Sequence, residues 1–503
     1  MRNHSGSEPT HSARGGELMN IFSEVTDPTD LDSLRRVIAA APDAERLVAL
    51  NIATLVISDD ATARLVTSVS DLIAKERASN EVARVCILVD STKILRAGRD
   101  LKADIAAMLS TRFTVSTIIL GADHHLHADD VAIDIATEAV READCIVTIG
   151  GGTITDIGKV ASHRIGDVPL VVVQTAASVD GFTDNVSVLL RNGVKRTEPS
   201  RWPDVVLADT ITIAGAPVAM NKAGFGEVLS LYTAPADWEL AHLFGLDSSF
   251  NRTPRDLLLE FAGDPAEWAS GIHDRDQEAV GHLTRVLAIR GIGTGIAGST
   301  ACLSGVEHLI SHMLDMFANS HGEEMGFHGA QVGVGSVVAA AAWQYFTERL
   351  ADGVVDDVTF PDAEELESDV KKAFEWCDPT GEKGQECWSD YRQKLDVWNA
   401  NQSLILEVLR NWDSRGAGIA LTVPGPEVLA LSLLAAGAPA EPASLGAWVQ
   451  GDVWHWAVKN CHFMRNRLTI VDLLFFFGWW TDQDVLAVLT RARSAMVGAP
   501  DAR

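Results

Sequence analysis

Positive charge is scarce in this chain. Its 41 Lys and Arg stand against 69 Asp and Glu, leaving a formal net charge of −28. Such a surface repels phosphate backbones and argues against nucleic acid as a partner. Cysteine is sparse as well: Cys86, Cys145, Cys302, Cys377, Cys387 and Cys461 are scattered without a CxxC pair. That usage fits reduced thiols in a cytoplasmic protein, not a disulfide scaffold. Long apolar runs are missing. The longest, Leu468 to Trp480, carries Asp472 and is too short to span a bilayer. The N-terminus, MRNHSGSEPTHSARGGE, lacks the apolar core of a secretory signal. Internal repeats are also absent, and the glycine-rich stretch Ile149 to Lys159 is neither the GxGxxG dinucleotide fingerprint nor a Walker A sequence. What remains is a soluble chain of 503 residues, 47% hydrophobic, long enough for two or three domains.

Periodicity organises that chain. Asp30 to Leu47 has helical spacing, and Leu47 to Ser58 is β-like. Strand and helix signals then alternate. Val82 to Val89, ending at Asp90, Phe113 to Leu120, Cys145 to Ile149 and Val168 to Val173 read as strands. Lys93 to Thr111, Asp129 to Glu142 and the segment through Ser162 read as helices. The alternation predicts an α/β, Rossmann-like parallel sheet covered by helices on both faces. Beyond about residue 215 the strand signal fades and amphipathic helices take over. The predicted division is an N-terminal extension over 1–45, disordered over about 1–17, an α/β domain over 46–213 and an all-α domain over 214–503. An acidic insert at about 350–400, with Trp376, Trp388 and Trp398, reads as a helix pair without an evident function.

Four stretches carry chemistry. The segment Ser304 to Ser336 reads SGVEHLISHMLDMFANSHGEEMGFHGAQVGVGS. His308 and His312 are one helical turn apart on one face, and His321 and His328 each precede a glycine. Imidazole suits zinc, nickel and iron, and a catalytic site needs about three protein ligands. In AGFGEVLSLYTAPADWELA, Glu227 is either a partner for a helix dipole or the carboxylate of a Glu/His/His metal site. IGGGTITDIGK, Ile149 to Lys159, lies between a strand and a helix, where glycines let backbone N–H groups approach a pyrophosphate. Asp90, at a strand end, is either the acidic residue that holds an adenosine ribose or a solvated strand-end carboxylate. QTAASVDGFTDN, Gln174 to Asn185, follows the fourth strand, and ligand sites in such sheets lie at the carboxyl ends of strands.

Taken in order, GGGTITDIGK, TAASVDG, AGFGE and SGVEHLISH…HGAQVGVG resemble the sn-glycerol-1-phosphate dehydrogenase family. That family belongs to the iron-containing alcohol dehydrogenase and dehydroquinate synthase superfamily. The resemblance runs from about residue 50 to 345 and resumes at Met464 to Gly478. It implies a nucleotide-binding domain, a helical domain and a catalytic divalent metal between them, zinc first and nickel or iron as alternatives. Carried over by position, Gly151, Gly152, Thr153 and Asp156 contact the NAD or NADP pyrophosphate. Thr175 and Ser178 contribute from the next loop, and Asp184 stands near the nicotinamide. Asp180 and His312 contact substrate, while Glu227, His308 and His328 bind the metal. Three positions depart from the pattern: Glu227 replaces the usual Asp, Gln174 a Pro and Asp184 a Ser. The longer spacing from His308 to His328 makes His321 a rival third ligand.

The implied reaction is reduction of dihydroxyacetone phosphate to sn-glycerol 1-phosphate, in a cytoplasmic homo-oligomer. Lys195 and Arg196 in NGVKRT are candidate cations for the substrate phosphate, or else surface charges without a role. Rival readings are another polyol, another phosphorylated or phosphonylated ketone, or a non-catalytic metal- or nucleotide-binding protein. A dehydroquinate synthase is disfavoured, since TAASVDG lacks that family's basic pattern.

Overall fold

The computed structural model describes residues 21–497 apart from 26, 77–80, 122–125, 192–193 and 352–357. The stretch expected to be disordered, 1–17, lies outside the described residues. The strands are β1 (Thr54–Ser58), β2 (Arg84–Asp90), β3 (Leu95–Arg96), β4 (Arg99–Asp100), β5 (Thr114–Leu120), β6 (Cys145–Gly150), β7 (Leu170–Gln174), β8 (Val186–Arg191), β9 (Val194–Pro199) and β10 (Val205–Asp209). Six of them form one parallel sheet in the order β1-β10-β7-β6-β2-β5.

Unbroken apolar runs make this sheet because both of its faces are covered. Val85, Ile87 and Val89 of β2 pack on one side with α2 (Leu65–Glu76) and α3 (Leu101–Ser110). Cys86 and Leu88 pack on the other with α4 (Asp130–Val140) and α5 (Gly152–Arg164). β6, β7 and β10 are buried along their whole length. From β2 the chain moves outward to β5, then returns to place β6 on the opposite side of β2. The carboxyl ends of β2 and β6 therefore flank the point where strand order reverses, which is where such sheets bind ligands.

Several sequence expectations need adjustment. Asp30 to Leu47 gives α1 (Leu31–Ala40) and a short 3-10 turn, Ala44–Arg46, because Pro42 interrupts the helix. Only Thr54–Ser58 of the β-like run forms a strand. The helix expected from Lys93 starts at Leu101, where Asp100 accepts the Ala103 N–H as cap. Before it, Ala97 (φ 49°) and Gly98 (φ 82°) turn the ribbon of β3 and β4. The antiparallel hairpin of β8 and β9 was not expected at all.

After Asp209 the described residues contain no strand. The helices are α6 (Thr210–Ala214), α7 (Val218–Val228), α8 (Ala234–Leu243), α9 (Thr253–Ala262), α10 (Pro265–His273), α11 (Gln277–Ala297), α12 (Val306–His321) and α13 (His328–Ala351), followed by α14 (Ala363–Ala373) and α15 (Glu382–Ala400) in the acidic segment. Shorter ones complete the chain, and no described helix is long and apolar enough to cross a membrane. α7 and α13 touch backbone to backbone. A Cβ on Gly226 would stand 2.3 Å from the Gly329 carbonyl oxygen, and one on Gly329 would stand 2.1 Å from that of Ala223. The glycines of AGFGE and HGAQVGVG thus let two helices close to a distance that brings Glu227 beside His328.

Candidate active site

Two cavities open at the carboxyl ends of the strands and share Gly152, Thr153 and Val179 as lining. The larger, about 760 Å³, is lined by Asp90, Gly151, Gly152, Thr153, Thr175 and Ser178 among others. Six of the residues expected at the cofactor therefore meet in one cleft. Gly151 is the N-cap of α5, so free N–H groups and the positive end of the helix dipole face the cleft. Asp90 is already partnered: Lys102 Nζ donates to its carboxylate at 2.7 Å, as do the Thr92 N–H and hydroxyl.

The smaller cavity, about 320 Å³, holds the acidic and histidine side chains. Glu227, His308 and His328 offer donor atoms that all lie within 4.8 Å of one another. His321 is not among them; it is exposed at the end of α12, stacked on Phe317. Hydrogen bonding makes Nδ1 the donor on both histidines. Gln331 Nε2 donates to Asp315, so Gln331 Oε1 is left to accept from the Ser311 hydroxyl at 2.6 Å. Ser311 Oγ in turn accepts from His328 Nδ1 at 2.8 Å. His308 Nδ1 donates to Glu307 Oε1 at 3.0 Å. Both Nε2 atoms then face Glu227, His308 at 3.1 Å from Oε1 and His328 at 3.8 Å from Oε2. Glu227 Oε2 is buried without a hydrogen-bond partner. A buried carboxylate oxygen facing an imidazole lone pair, too far for a bond, fits a divalent ion between them, and one Glu plus two His is a donor set such ions take. A second group, His312, Asp315 and His328, overlaps the first. Its Asp315 is already engaged by Lys195 at 2.5 Å and by Gln331.

Electrostatics separates the three histidines. Burial disfavours the charge on His308, but Glu227 and Glu307 outweigh it and push this imidazole up to about 9. Burial, with Lys195 and His308 adding to it, pushes His328 down to about 3 against the pull of Glu227. His312 is held neutral by burial and then by His328 and Lys195, and its Nδ1 is buried and unpartnered. For Glu227, burial is outweighed by His308, His328 and Arg290, so the carboxylate stays ionised.

Two residues expected at the cofactor belong to this second cavity. Asp156 and Asp184 line it, not the glycine cleft, and both face Lys159, at 3.2 and 2.5 Å. Val188 N–H also reaches Asp156, at 3.2 Å. Lys159 is fully buried and neutralises only one of the two carboxylates. Burial accordingly pushes Asp184 up to about 7 despite Lys159.

The sequence reading passed over three further side chains. Arg290, 1% exposed on α11, donates to Asp180 at 3.2 Å, to Glu227 at 2.9 Å and to Ser230. A lone arginine in the apolar run VLAIRGIG was the available signal. Glu307 precedes His308 directly and accepts from it, from Gly305 N–H and from Thr233 Oγ1. Lys159 stood at the end of the glycine motif itself.

The chain also resembles known proteins. The model of the iron-containing alcohol dehydrogenases matches residues 61–217. The glycerol-1-phosphate dehydrogenase [NAD(P)+] of Korarchaeum cryptofilum is 30% identical over 266 residues, 51% of this chain and 83% of that one. The protein of the same name from Geobacillus thermodenitrificans is 29% identical over 287 residues, 55% and 70% of the two chains. That from Geobacillus stearothermophilus is 26% identical over 393 residues, 78% and 86%. Matched spans elsewhere fall to 51% of the relative, as in Halalkalibacterium halodurans. Among solved structures, the maleylacetate reductase of Agrobacterium tumefaciens shares the fold, with a TM-score of 0.53 and 17% identity over 90% of this chain and 98% of that one. A parallel sheet, a helical region and four ordered motifs with relatives of this kind place the chain in the glycerol-1-phosphate dehydrogenase family of the iron-containing alcohol dehydrogenases.

Proposed function

We propose that the protein is a metal-dependent, NAD(P)-linked oxidoreductase that reduces dihydroxyacetone phosphate to sn-glycerol 1-phosphate. Its family makes it an NAD(P)-dependent dehydrogenase; the substrate and the metal are our reading. The observation that carries it is the meeting of Glu227, His308 and His328 in a cavity that shares a wall with the glycine turn. A cofactor seated on that turn ends beside these donors.

Glu227 and the Nε2 atoms of His308 and His328 would hold a divalent ion, zinc first and nickel or iron as alternatives. Once bound, it supplies Lewis acidity toward the carbonyl and hydroxyl oxygens of the substrate. The chain's own groups do the rest. Glu307 and Ser311 keep both imidazoles in the tautomer that presents Nε2. Arg290 fixes Glu227 and Asp180 relative to each other. Asp180 is positioned to accept a hydrogen bond from a substrate hydroxyl, and neutral His312 to hydrogen-bond the oxygen and relay a solvent proton to it, taking one proton as it releases another, as hydride arrives at carbon. The cofactor provides the hydride, while Val179, Val186 and Leu303 line an apolar part of the wall. The acidic lining, with Asp156, Asp180 and Asp184, favours as second reading an uncharged polyol or its ketone. A cytoplasmic homo-oligomer is part of the proposal, supported by six unpaired, buried cysteines and by Val428, Leu431 and Leu434, exposed on the helix Pro426–Ala435.

Oxidation of NADH and NADPH by zinc-loaded protein, followed with dihydroxyacetone phosphate and with dihydroxyacetone, tests the reading. Turnover of the phosphate ester that a chelator abolishes is the expected result. Turnover of the uncharged ketone alone gives the second reading, and cofactor binding without any turnover gives a non-catalytic protein.

A further inference from the structure

The hairpin of β8 and β9 reaches over the metal-side cavity, and successive residues on a strand point to opposite faces. Lys195 turns inward. It lines the cavity, its side chain is 25% exposed, and Nζ donates to Asp315 Oδ2 at 2.5 Å. An ammonium has three N–H donors, so two are left for a ligand. Among the described lining residues the other lysine or arginine is Arg290, whose guanidinium is buried and committed to Asp180, Glu227 and Ser230. Lys195 is therefore the cation this acidic cavity can offer to an incoming anion.

Arg196 turns the other way, into the acidic segment. On α15, Glu386 and Asp390 are one helical turn apart, and both take its guanidinium, Asp390 at 3.2 Å and Glu386 more closely. Arg465 completes the knot, donating to the Lys195 carbonyl at 2.8 Å and lying 3.8 Å from Asp390. Lys394, fully buried on the same helix, pairs with Asp472 at 2.6 Å and anchors α15 to the helix Ile470–Phe476. The acidic segment is thus fixed at one end to the helical core and grips the hairpin at the other.

We propose that Lys195 is the specificity-determining residue that recognises the anionic, phosphate-class substituent of the substrate, and that Glu386 and Asp390 of α15 are positioning residues that hold it over the cavity. The proposal rests on the substrate reading above, to which it adds the residue that would distinguish the phosphate ester from the free polyol. It also gives the acidic segment a role. Arg196 on this account does not touch substrate.

Calorimetric titration of the zinc-loaded protein with sn-glycerol 1-phosphate tests it, alongside KM and kcat for dihydroxyacetone phosphate. Loss of charge-assisted hydrogen bonds predicts that Lys195→Met weakens binding about ten- to a hundredfold and raises KM in step, with kcat within about threefold. Lys195→Arg, which keeps the charge, should restore most of the affinity, and Asp390→Asn should weaken it by about threefold through the hairpin. Zinc content should stay unchanged in all three. Binding by Lys195→Met within twofold of wild type, or a loss that Lys195→Arg shares, would overturn the proposal. If wild type binds the ester through Lys195 but does not reduce dihydroxyacetone phosphate, the substrate reading fails and the Lys195 assignment stands. If the ketone is reduced with an unchanged KM in Lys195→Met, the reverse holds. A wild type that binds no glycerol 1-phosphate refutes both.

Discussion

The two cavities share three residues yet offer a ligand different kinds of binding group. The larger is built from a glycine turn, a helix N-terminus and small hydroxylic residues, so its binding groups are mostly backbone. The smaller is built around ionisable side chains, buried or half-buried apart from His127, that come from α5, the loop after β7, α7, α11, α12, α13 and the hairpin. Backbone recognition needs a short local motif, whereas a constellation of charges must be assembled from distant segments and neutralised group by group. The first tolerates side-chain changes that the second does not.

The comparison is sharpest at the donors themselves. His308→Ala should cost activity on the order of a thousandfold, since several kcal/mol of Lewis-acid stabilisation depend on the site. Cofactor binding in the other cavity, followed by NADH fluorescence, should stay within a few fold. An equal loss of cofactor affinity would show that the two cavities are not separable.

A smaller effect is expected one residue away. Glu307→Gln keeps the shape but weakens the acceptor for His308 Nδ1, and should lower zinc affinity by about ten- to a hundredfold in a competitive chelator titration. Unchanged zinc affinity would remove Glu307 from the account.

Packing is the third contrast. Gly329→Ala adds a methyl 2.1 Å from a backbone oxygen of the facing helix, which cannot move aside like a side chain. Despite the better helix propensity of alanine, overpacking should destabilise the protein by about 1–3 kcal/mol, read as a lower Tm, with zinc affinity reduced. A Tm at or above wild type would break the argument that these glycines set the distance between Glu227 and His328.

The smallest effect concerns pH. Asp184 takes up a proton near pH 7 in the folded state but only near pH 4 in the unfolded chain. Between those values the native state binds more protons, so this group's contribution makes wild type less stable as pH rises from about 4 to 7. Asp184→Asn cannot titrate, and Lys159 keeps Asp156 as counter-ion. Its stability relative to wild type should therefore improve from pH 5 to pH 8 in urea unfolding. A constant difference across that range would contradict the shift.

What could be read beforehand follows the same division. The parallel sheet was legible because fully buried strands are continuous apolar runs, and the glycine turn because it is contiguous in sequence. Glu227, His308 and His328 were legible through four ordered motifs, with His321 left as a rival until α12 carried it away to stack on Phe317. Asp156 and Asp184 were expected at the pyrophosphate and the nicotinamide. Nothing in the linear sequence shows that Lys159 draws both to the far side of the turn. The hairpin escaped notice although Asn192-Gly193 sits between apolar flanks, a recognised turn signal. Arg290 pairs with residues 110 and 63 positions away, contacts that local pattern does not encode.

The central claim is that the acidic cavity holds one metal ion on Glu227, His308 and His328. An anomalous difference map at the zinc edge, from crystals of zinc-loaded protein, tests it directly. The account predicts a single strong peak within about 2.0–2.2 Å of Glu227 and of the Nε2 atoms of His308 and His328. A peak centred among His312, Asp315 and His328, or no peak in this cavity, would contradict it.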